Sequence, residues 1–425
     1  AIIGDGALSG GMAYEGLNTI ATLGTNAIII INDNDQSIAK NPKGGIYTAL
    51  ESLRETKGQA TNNIFKALGY DYHYLEDGNN LEELISLFKE VKDIDHPVVL
   101  HIYTEKGKGF EPAERNHEKF HAGGPFSLET GEYIKKGAVT STYNGITSEY
   151  LTKKLKEDPL AVVINAGTPG IVFNRKLREQ LGSQFVDVGI AEEQAVTMTT
   201  GLAQNGAKPV WAVLSTFSQR TYDQLSHDMA LNNQAGVVLV YSASINSMND
   251  ESHLGFFDIP FISHIPNFVY LAPTNKEEHL AMLEWAINQN EHPVAIRVPV
   301  GSVVETGKED KTDYSILNKN KVEKFGEQVA IFGVGNFYNL AEEVSEKLKS
   351  EHNIEATLVN PRFLTGLDKE LLNSLKENHK LVVTVEDGIV EGGYGQTVAS
   401  YLGNTELKVQ NYGISKKFYD RYNLE

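Results

Sequence analysis

The sequence predicts an α/β protein built on mainly parallel sheets. Apolar strand-like runs alternate with helix-like segments along the chain, a pattern typical of βαβ units. An acidic glycine turn (Gly-Asp-Gly, 4–6) follows the first apolar run, and an amide-rich turn (Asn-Asp-Asn, 32–34) follows the second. The carboxyl ends of parallel strands meet at one edge of a sheet, where such sheets bind ligands. Asp5 and Asn34 are therefore expected to converge there.

Composition and charge limit what the protein can do. The chain has 425 residues, enough for two to four domains of about 100–200 residues each. Its formal net charge of −18 argues against a nucleic-acid or membrane-surface partner, because both require a basic face. The absence of cysteine excludes disulfides, thiolate metal sites and cysteine nucleophiles. No apolar run reaches the roughly 20 residues of a membrane span and we see no signal peptide, so we expect a cytoplasmic protein.

The first two turns carry residues suited to a metal and a phosphate group. The Asp5 carboxylate and the Asn34 amide oxygen are a hard-oxygen pair. Such a pair suits Mg²⁺, which keeps few protein ligands and completes its octahedron with water and phosphate oxygens. Gly4 and Gly6 allow the backbone to approach a diphosphate closely. An ordinary exposed turn is the alternative, and Gly-Asp-Gly alone does not decide between the two.

The other elements follow the same alternation. Strands are predicted at 1–3, 27–31, 98–103, 161–165, 185–187, 210–214, 236–241, 329–332, 356–359, 381–385 and 407–410. Helices are predicted at 12–23, 47–56, 62–68, 80–91, 146–156, about 194–205, 340–349 and 369–375. Residues 104–125 are too rich in glycine and charge for a core element, so they are expected to form a surface loop, where function tends to lie.

Several stretches, in this order, carry a family resemblance. They are Gly-Asp-Gly-Ala-Leu-Ser-Gly-Gly-Met-Ala-Tyr-Glu from Gly4, the Asn-Asp-Asn turn, Lys-Gly-Lys-Gly-Phe-Glu-Pro-Ala-Glu from Lys106, Phe-His-(x)₃-Pro-Phe from Phe120, Gly-Ile-Ala-Glu from Gly189, Ser-Thr-Phe from Ser215 and His-x-Gly-x-Phe-Asp from His253. The sequence resembles the 1-deoxy-D-xylulose-5-phosphate synthases, which are transketolase-like enzymes. The resemblance implies three doubly wound α/β domains, with thiamine diphosphate and Mg²⁺ as cofactors.

The resemblance also implies roles at the cofactor. The residues that would bind thiamine diphosphate are Gly4, Asp5, Gly6, Ala7, Asn34, Glu192 and Phe217, and the metal ligands would be Asp5, Asn34 and the Gln36 carbonyl. Glu192 would protonate the pyrimidine N1′, a task for a carboxyl group whose environment raises its pKa. Phe217 would stack on the same ring. The alternatives are a first-turn glutamate favoured by the helix dipole and a core phenylalanine.

Substrate contacts are implied for three further residues. His121 is expected near the reacting carbon of the cofactor, and the alternative is a solvated loop histidine. His253 is a candidate for polarising or protonating the adduct of donor and acceptor. Arg220 is a candidate phosphate clamp, because a guanidinium binds phosphate in fork geometry; a surface ion pair is as good an interpretation.

The acceptor side departs from the family pattern. Ser242 and Val300 stand where the family has phosphate-binding arginines, Leu214 replaces a tyrosine and Asn249 replaces an acid. Each lost charge-assisted hydrogen bond costs about 1.5–3 kcal/mol, so two losses weaken phosphate binding by roughly a hundredfold or more. We infer another acceptor, or a phosphate grip through other residues.

The resemblance covers nearly the whole chain and implies its division. Residues 1–125 would form a diphosphate-binding domain without the family's N-terminal part, 126–145 a linker, 146–305 a pyrimidine-binding domain, 306–320 a second linker and 321–425 a transketolase C-terminal-like domain. The expected activity is decarboxylation of a 2-oxo acid such as pyruvate and addition of the two-carbon unit to an aldehyde, by a homodimer. Transketolase-type ketol transfer and a non-catalytic, regulatory homologue remain as alternatives.

Overall fold

The computed structural model describes residues 1–134, 141–245 and 250–422, which form two compact units. The first unit contains the described residues up to 134 together with Asn165–Gly170 and Asp187–Glu192, and the second contains the remainder. Part of the predicted first linker, residues 135–140, lies outside the described residues. Two short segments beyond that linker thus belong to the first unit.

Strands and helices alternate in the first unit. In chain order they are β1 (Ile2–Gly4), α1 (Gly11–Leu23), β2 (Ile28–Asp33), α2 (Gly45–Glu55), α3 (Ile64–Ala67), β3 (Asp71–Leu75), α4 (Leu81–Val91), β4 (Val98–Tyr103) and α5 (Glu111–Arg115). The strand order is β1-β2-β4-β3, with every pair parallel. Ile29 and Ile31 of β2 enter one apolar cluster, and Ile28 and Ile30 pack against another. This alternation is that of a strand covered on both faces.

The second sheet and the helices that accompany it are formed by residues 143–298. Its elements are α6 (Tyr143–Glu157), β5 (Ala161–Asn165), α7 (Arg175–Leu181), β6 (Phe185–Asp187), α8 (Glu192–Gln204), β7 (Lys208–Leu214), α9 (Ser215–Ser218), α10 (Tyr222–Gln224), β8 (Gly236–Tyr241), α11 (Asp258–Ser263), β9 (Val269–Leu271), α12 (Lys276–Asn288) and β10 (Pro293–Val298). The strand order is β6-β5-β7-β8-β10-β9. All residues of β8 are buried, as expected of a central strand in a parallel sheet.

The third sheet is formed by the C-terminal part of the chain. Its elements are β11 (Lys321–Lys324), β12 (Gln328–Val334), α13 (Tyr338–His352), β13 (Thr357–Asn360), α14 (Lys369–Asn378), β14 (His379–Ile389), α15 (Tyr394–Leu402) and β15 (Lys408–Ile414). The strand order is β11-β13-β12-β14-β15, in which only β11 runs antiparallel to its neighbour. The predicted class, α/β with mainly parallel sheets, is confirmed.

The sequence prediction missed some elements. Strands β3, β9, β10 and β11 were not anticipated. Arg297 lies inside buried β10, where its guanidinium is neutralised by Asp258 at 2.8 Å and by Asp387. A buried arginine in a strand is tolerated only with such partners, and those partners cannot be found from local sequence.

Candidate functional site

Strands β1 and β2 bring the two predicted metal-binding residues to one edge of the first sheet. Gly4 at the end of β1 lies opposite Asn32 of β2, so Asp5 and Asn34 leave the sheet side by side. The Asn34 backbone N–H donates to Asp5 Oδ1 at 3.4 Å, and the Gln36 N–H donates to Asn34 Oδ1 at 3.2 Å. The structure therefore brings Asp5, Asn34 and Gln36 together.

Asp5 lies in a strongly perturbed environment. It is 1% exposed, and Asn41 Nδ2 donates to its Oδ2 at 2.5 Å. Burial raises the pKa of Asp5 to about 6, and the negative charge of Asp33 contributes to this rise. The hydrogen bonds from Asn34, Asn41 and Gly6 act in the opposite direction and lower the pKa. A cation bound beside this carboxyl group would favour its ionised form.

The oxygen donors at this edge fit a hard divalent cation held together with a phosphate group. Within the described ranges no group of three histidine or acidic side chains could hold a metal, so an ion here would also need amide, carbonyl and phosphate oxygens. Such a mixed set is what Mg²⁺ prefers. Asn41 Oδ1, moreover, is buried without a hydrogen-bond partner. Sequence reasoning missed Asn41, although it lies in a turn seven residues after Asn34.

The loop after β2 lies directly against the Gly-Asp-Gly turn. A Cβ atom added at Gly6 would lie 2.9 Å from Ser37 Cβ, whereas one at Gly4 would meet nothing within 4 Å. Ala7 belongs to the short 3₁₀ turn Asp5–Ser9 that follows β1. Glycine at position 6 is thus required by the protein's own packing.

Lys106 connects this loop to the predicted catalytic histidine. Its Nζ donates to the Ser37 carbonyl and lies 2.9 Å from His121 Nδ1. Burial is the main cause that lowers the pKa of His121, and the positive charge of Lys106 lowers it further. A lysine ammonium can only donate, so the Nδ1 of His121 accepts from Lys106, and the neutral ring that the lowered pKa favours carries its proton on Nε2. Sequence reasoning assigned Lys106 no role, although it starts one of the motifs quoted above.

Glu192 begins α8 and is 3% exposed. The turn before it is organised by Asp187, whose Oδ1 accepts from the Gly167 and Gly189 N–H groups at 2.9 and 3.0 Å. Gly189 has φ +77°, a left-handed conformation that favours glycine. The local sequence thus fixes the path of the chain into Glu192.

Two hydroxyl groups join the Glu192 turn to the Gly-Asp-Gly turn within the first unit. A Cβ atom on Gly189 would lie 2.6 Å from Tyr47 Oη and 2.9 Å from Ser9 Oγ. Both hydroxyls donate to the Gly6 carbonyl, at 3.1 and 3.2 Å. The turns carrying Asp5 and Glu192 therefore share one pair of side chains. Sequence reasoning missed Tyr47 and Ser9, and only the position of Ser9 inside the first motif could have indicated one of them.

The other predicted residues lie in the second unit. The rings of Phe217 and His253 meet edge to face, with centroids 5.5 Å apart, and His253 Nδ1 lies 3.0 Å from the Asp250 carboxylate. Arg220 contacts the Glu193 carboxylate at 3.3 Å. The structure thus brings Phe217 and His253 together, and Arg220 takes part in an ion pair. Asn249 lies outside the described residues.

Comparisons with known proteins first identify the class of protein to which this chain belongs. Family models match for the transketolase pyrimidine-binding domain at residues 140–304 and for the transketolase C-terminal domain at 318–423. A solved structure described as a split-gene transketolase, an inactive β4 tetramer, superposes with a TM-score of 0.58 and 23% identity, covering 65% of this chain and 91% of its own. That likeness shows the fold alone. The class is that of transketolase-like proteins.

Further matches define the family. The model for 1-deoxy-D-xylulose-5-phosphate synthase matches residues 1–62 and 54–104. The enzyme of that name from Clostridium perfringens is 36% identical, and the match covers 98% of this chain and 73% of the enzyme. The one from Clostridium acetobutylicum is also 36% identical, and the match covers 100% of this chain and 74% of the enzyme. The enzyme from Halothermothrix orenii is 35% identical over 98% of this chain and 71% of its own. The chain belongs to the 1-deoxy-D-xylulose-5-phosphate synthase family of transketolase-like transferases, and this membership implies thiamine diphosphate as cofactor.

None of the helices in the described part of the chain has the length and apolar character needed to cross a bilayer.

Proposed function

We propose that the protein binds thiamine diphosphate with Mg²⁺, decarboxylates pyruvate and adds the two-carbon unit to an aldehyde. The main support for this proposal is one observation within a single compact unit. The hydroxyls of Tyr47 and Ser9 donate to the turn that carries Asp5 and lie close to Gly189, in the turn that leads into Glu192. The two ends of one cofactor require two such turns at a fixed separation. Family membership supports the same activity.

Each residue would contribute a separate part of the binding site. Asp5, Asn34 and the Gln36 carbonyl would hold Mg²⁺, with Gly4, Gly6 and Ala7 contributing backbone to the diphosphate. When bound, thiamine diphosphate would supply a nucleophilic carbon that adds to the carbonyl of the 2-oxo acid, and a cationic ring that takes up the electron pair released when CO₂ leaves.

On the ring side, Glu192 would hold a proton at the pyrimidine N1′ and Phe217 would stack on that ring. A neutral His121 presents its Nε2–H as a donor, because Lys106 occupies Nδ1. His253, beside Phe217, would donate to the carbonyl oxygen that develops negative charge. Arg220 would bind substrate if it exchanged its ion pair with Glu193 for a ligand anion.

The acceptor aldehyde is the open part of the proposal. Ser242 and Val300 replace two arginines that the family resemblance implies for phosphate. The side chains of serine and valine are uncharged, so neither position can supply a positive charge to a phosphate group. An aldehyde without a phosphate group fits these positions better than a phosphorylated one.

The test is a product analysis with pyruvate, Mg²⁺ and a panel of aldehydes, with and without phosphate. Release of CO₂ together with a ligated ketose supports the proposal, and ketol transfer from a sugar phosphate without CO₂ would favour the transketolase-type alternative. Glu192→Gln should lower turnover by a factor of about 10² to 10⁴ while leaving the fold unchanged by circular dichroism. A wild-type protein with no turnover and no cofactor binding would favour the non-catalytic alternative.

A cytoplasmic homodimer belongs to the same proposal. Analytical ultracentrifugation with and without cofactor would test the dimer, and a sedimentation coefficient of a monomer in both conditions would contradict it.

A further inference from the structure

We propose that Arg54 is a positioning residue that holds the Asn34 turn in its metal-binding geometry by binding the carboxylates on both sides of it. The inference rests on the function proposed above, because it concerns the metal that accompanies the cofactor. It assigns a role to a residue outside every motif of the sequence.

The guanidinium of Arg54 binds both residues that flank Asn34, and it also lies over the Tyr103 ring, 5.9 Å from its centroid. Its Nη1 lies 2.8 and 2.7 Å from the two carboxylate oxygens of Asp33, the last residue of β2. Its Nη2 lies 3.3 Å from Oδ1 of Asp35. One guanidinium from near the end of α2 therefore fixes the chain both before and after the predicted ligand.

Arg54 supplements the hydrogen bonds that the turn makes by itself. Asp35 adopts φ +58°, a left-handed conformation that is unfavourable for a side chain with a Cβ atom. Within the turn, Asn34 Oδ1 accepts one hydrogen bond from the Gln36 N–H, and Asp33 Oδ1 accepts one from the Asp35 N–H at 3.1 Å. The Asn34 N–H also donates to Asp5 Oδ1 at 3.4 Å, and the Thr104 N–H donates to the Asp33 carbonyl at 2.8 Å. Arg54 adds a contact of another kind, because it binds the side chains on both sides of Asn34.

The pair is not an ordinary surface salt bridge. The Arg54 side chain is 12% exposed and that of Asp33 is fully buried. Behind Asp33, His101 Nε2 lies 2.7 Å from its Oδ2, and the Tyr72 hydroxyl lies 2.7 Å from His101 Nδ1. These hydrogen bonds hold the carboxylate of Asp33 in place. Arg54, which binds that carboxylate, is therefore itself held in position to bind Asp35.

Arginine suits this position for a geometric reason. A planar guanidinium offers separate N–H groups to two carboxylates, whereas a lysine ammonium is a point charge on a flexible stem. Arg54→Lys therefore keeps the charge and loses the fork. Asp35→Asn keeps the shape and loses the outer ion pair. Lys40→Ala is the matched control, because Lys40 also pairs with Asp35, at 3.2 Å, but is 66% exposed and does not contact Asp33.

Two measurements on the 425-residue chain test the proposal. The first is hydrogen exchange by mass spectrometry of the peptide spanning residues 30–38, without ligand. Exchange of the Asn34 and Gln36 amides should become about tenfold faster in Arg54→Lys and Asp35→Asn and stay within twofold of wild type in Lys40→Ala. The second is the binding of Mn²⁺, a paramagnetic substitute for Mg²⁺, with thiamine diphosphate present. Its affinity should fall about 10- to 100-fold in the first two variants only, as is typical when a partner of a metal ligand is lost.

The outcomes separate this inference from the proposed function. Unchanged exchange in a folded Arg54→Lys protein, or an equal change in Lys40→Ala, would overturn the role of Arg54. Faster exchange in Arg54→Lys and Asp35→Asn with no Mn²⁺ binding by the wild type would leave Arg54 as the residue that orders the turn and would refute the metal site.

Discussion

Replacement of Gly189 by alanine tests the contact between the Glu192 turn and the Gly-Asp-Gly turn. The added Cβ atom would lie 2.6 Å from Tyr47 Oη and 2.9 Å from Ser9 Oγ, distances at which an atom must move. Tyr47 would give way first, and its hydrogen bond to the Gly6 carbonyl, 3.1 Å in the structure, would be lost. Gly206→Ala is the matched control, because Gly206 also has positive φ, +83°, but no atom within 4 Å of the added Cβ.

The two variants differ by the close approach alone. Positive φ costs an alanine about 1–2 kcal/mol, which applies to both variants. Gly189→Ala additionally loses one hydrogen bond worth about 1 kcal/mol and incurs overpacking of about 1 kcal/mol at the low end of the usual range. We therefore expect Gly189→Ala to be the less stable by about 2 kcal/mol in urea denaturation. Its affinity for thiamine diphosphate should fall by about tenfold in calorimetric titration, whereas that of Gly206→Ala should not change.

A double-mutant cycle with Tyr47→Phe identifies the partner. Removal of the hydroxyl takes away the clashing atom, so the cost of Gly189→Ala should be smaller in the Tyr47→Phe background by about 1 kcal/mol. Equal stabilities of Gly189→Ala and Gly206→Ala, together with strict additivity in the cycle, would refute the reasoning.

Three further predictions concern Asp5, the contact between Lys106 and His121, and Glu386. Asp5→Ala should abolish measurable Mg²⁺-dependent cofactor binding in calorimetric titration, and wild-type affinity would contradict the metal assignment. Lys106→Met should raise the pKa of His121 toward its ordinary value, read from the pH titration of its ring protons by NMR, because one of the two causes that lower it is removed; an unchanged midpoint would be inconsistent with the contact. Glu386 has its pKa raised from 4.5 to about 7, mainly by burial, so its folded form resists ionisation and stability falls as pH rises from 4.5 through 7. Glu386→Gln should therefore reduce the loss of unfolding free energy between pH 5 and pH 8 by about 2–3 kcal/mol in urea denaturation, and an identical pH dependence in both proteins would disprove this.

The strands and turns that depend on a local sequence pattern could be predicted from the sequence. The strand Val98–Tyr103 was predicted with its observed ends, and the convergence of Asp5 and Asn34 followed from the geometry of parallel strands. The Asp-Tyr-His-Tyr-Leu run of β3 also alternates, and attention to its aromatic residues would have identified it.

The rest of the site depends on contacts between residues far apart in sequence. Arg54 is separated from Asp33 by 21 residues and Tyr47 from Gly6 by 41, and both lie on a helix whose periodicity only marks the face toward the core. Asn41 is an asparagine before a proline, which reads as a turn. No local pattern distinguishes these polar residues from ordinary solvated ones.

The first unit is assembled from a discontinuous chain, and this affects how the protein could be divided. Because Asp187–Glu192 belongs to the same unit as Tyr47 and Ser9, a fragment that stops before residue 141 would leave both hydroxyls facing water instead of Gly189. Cutting the gene in the predicted linker would therefore yield two halves that each carry one of the two turns proposed to bind the coenzyme. Fragment complementation, with neither half sufficient, is the behaviour that such a protein should show.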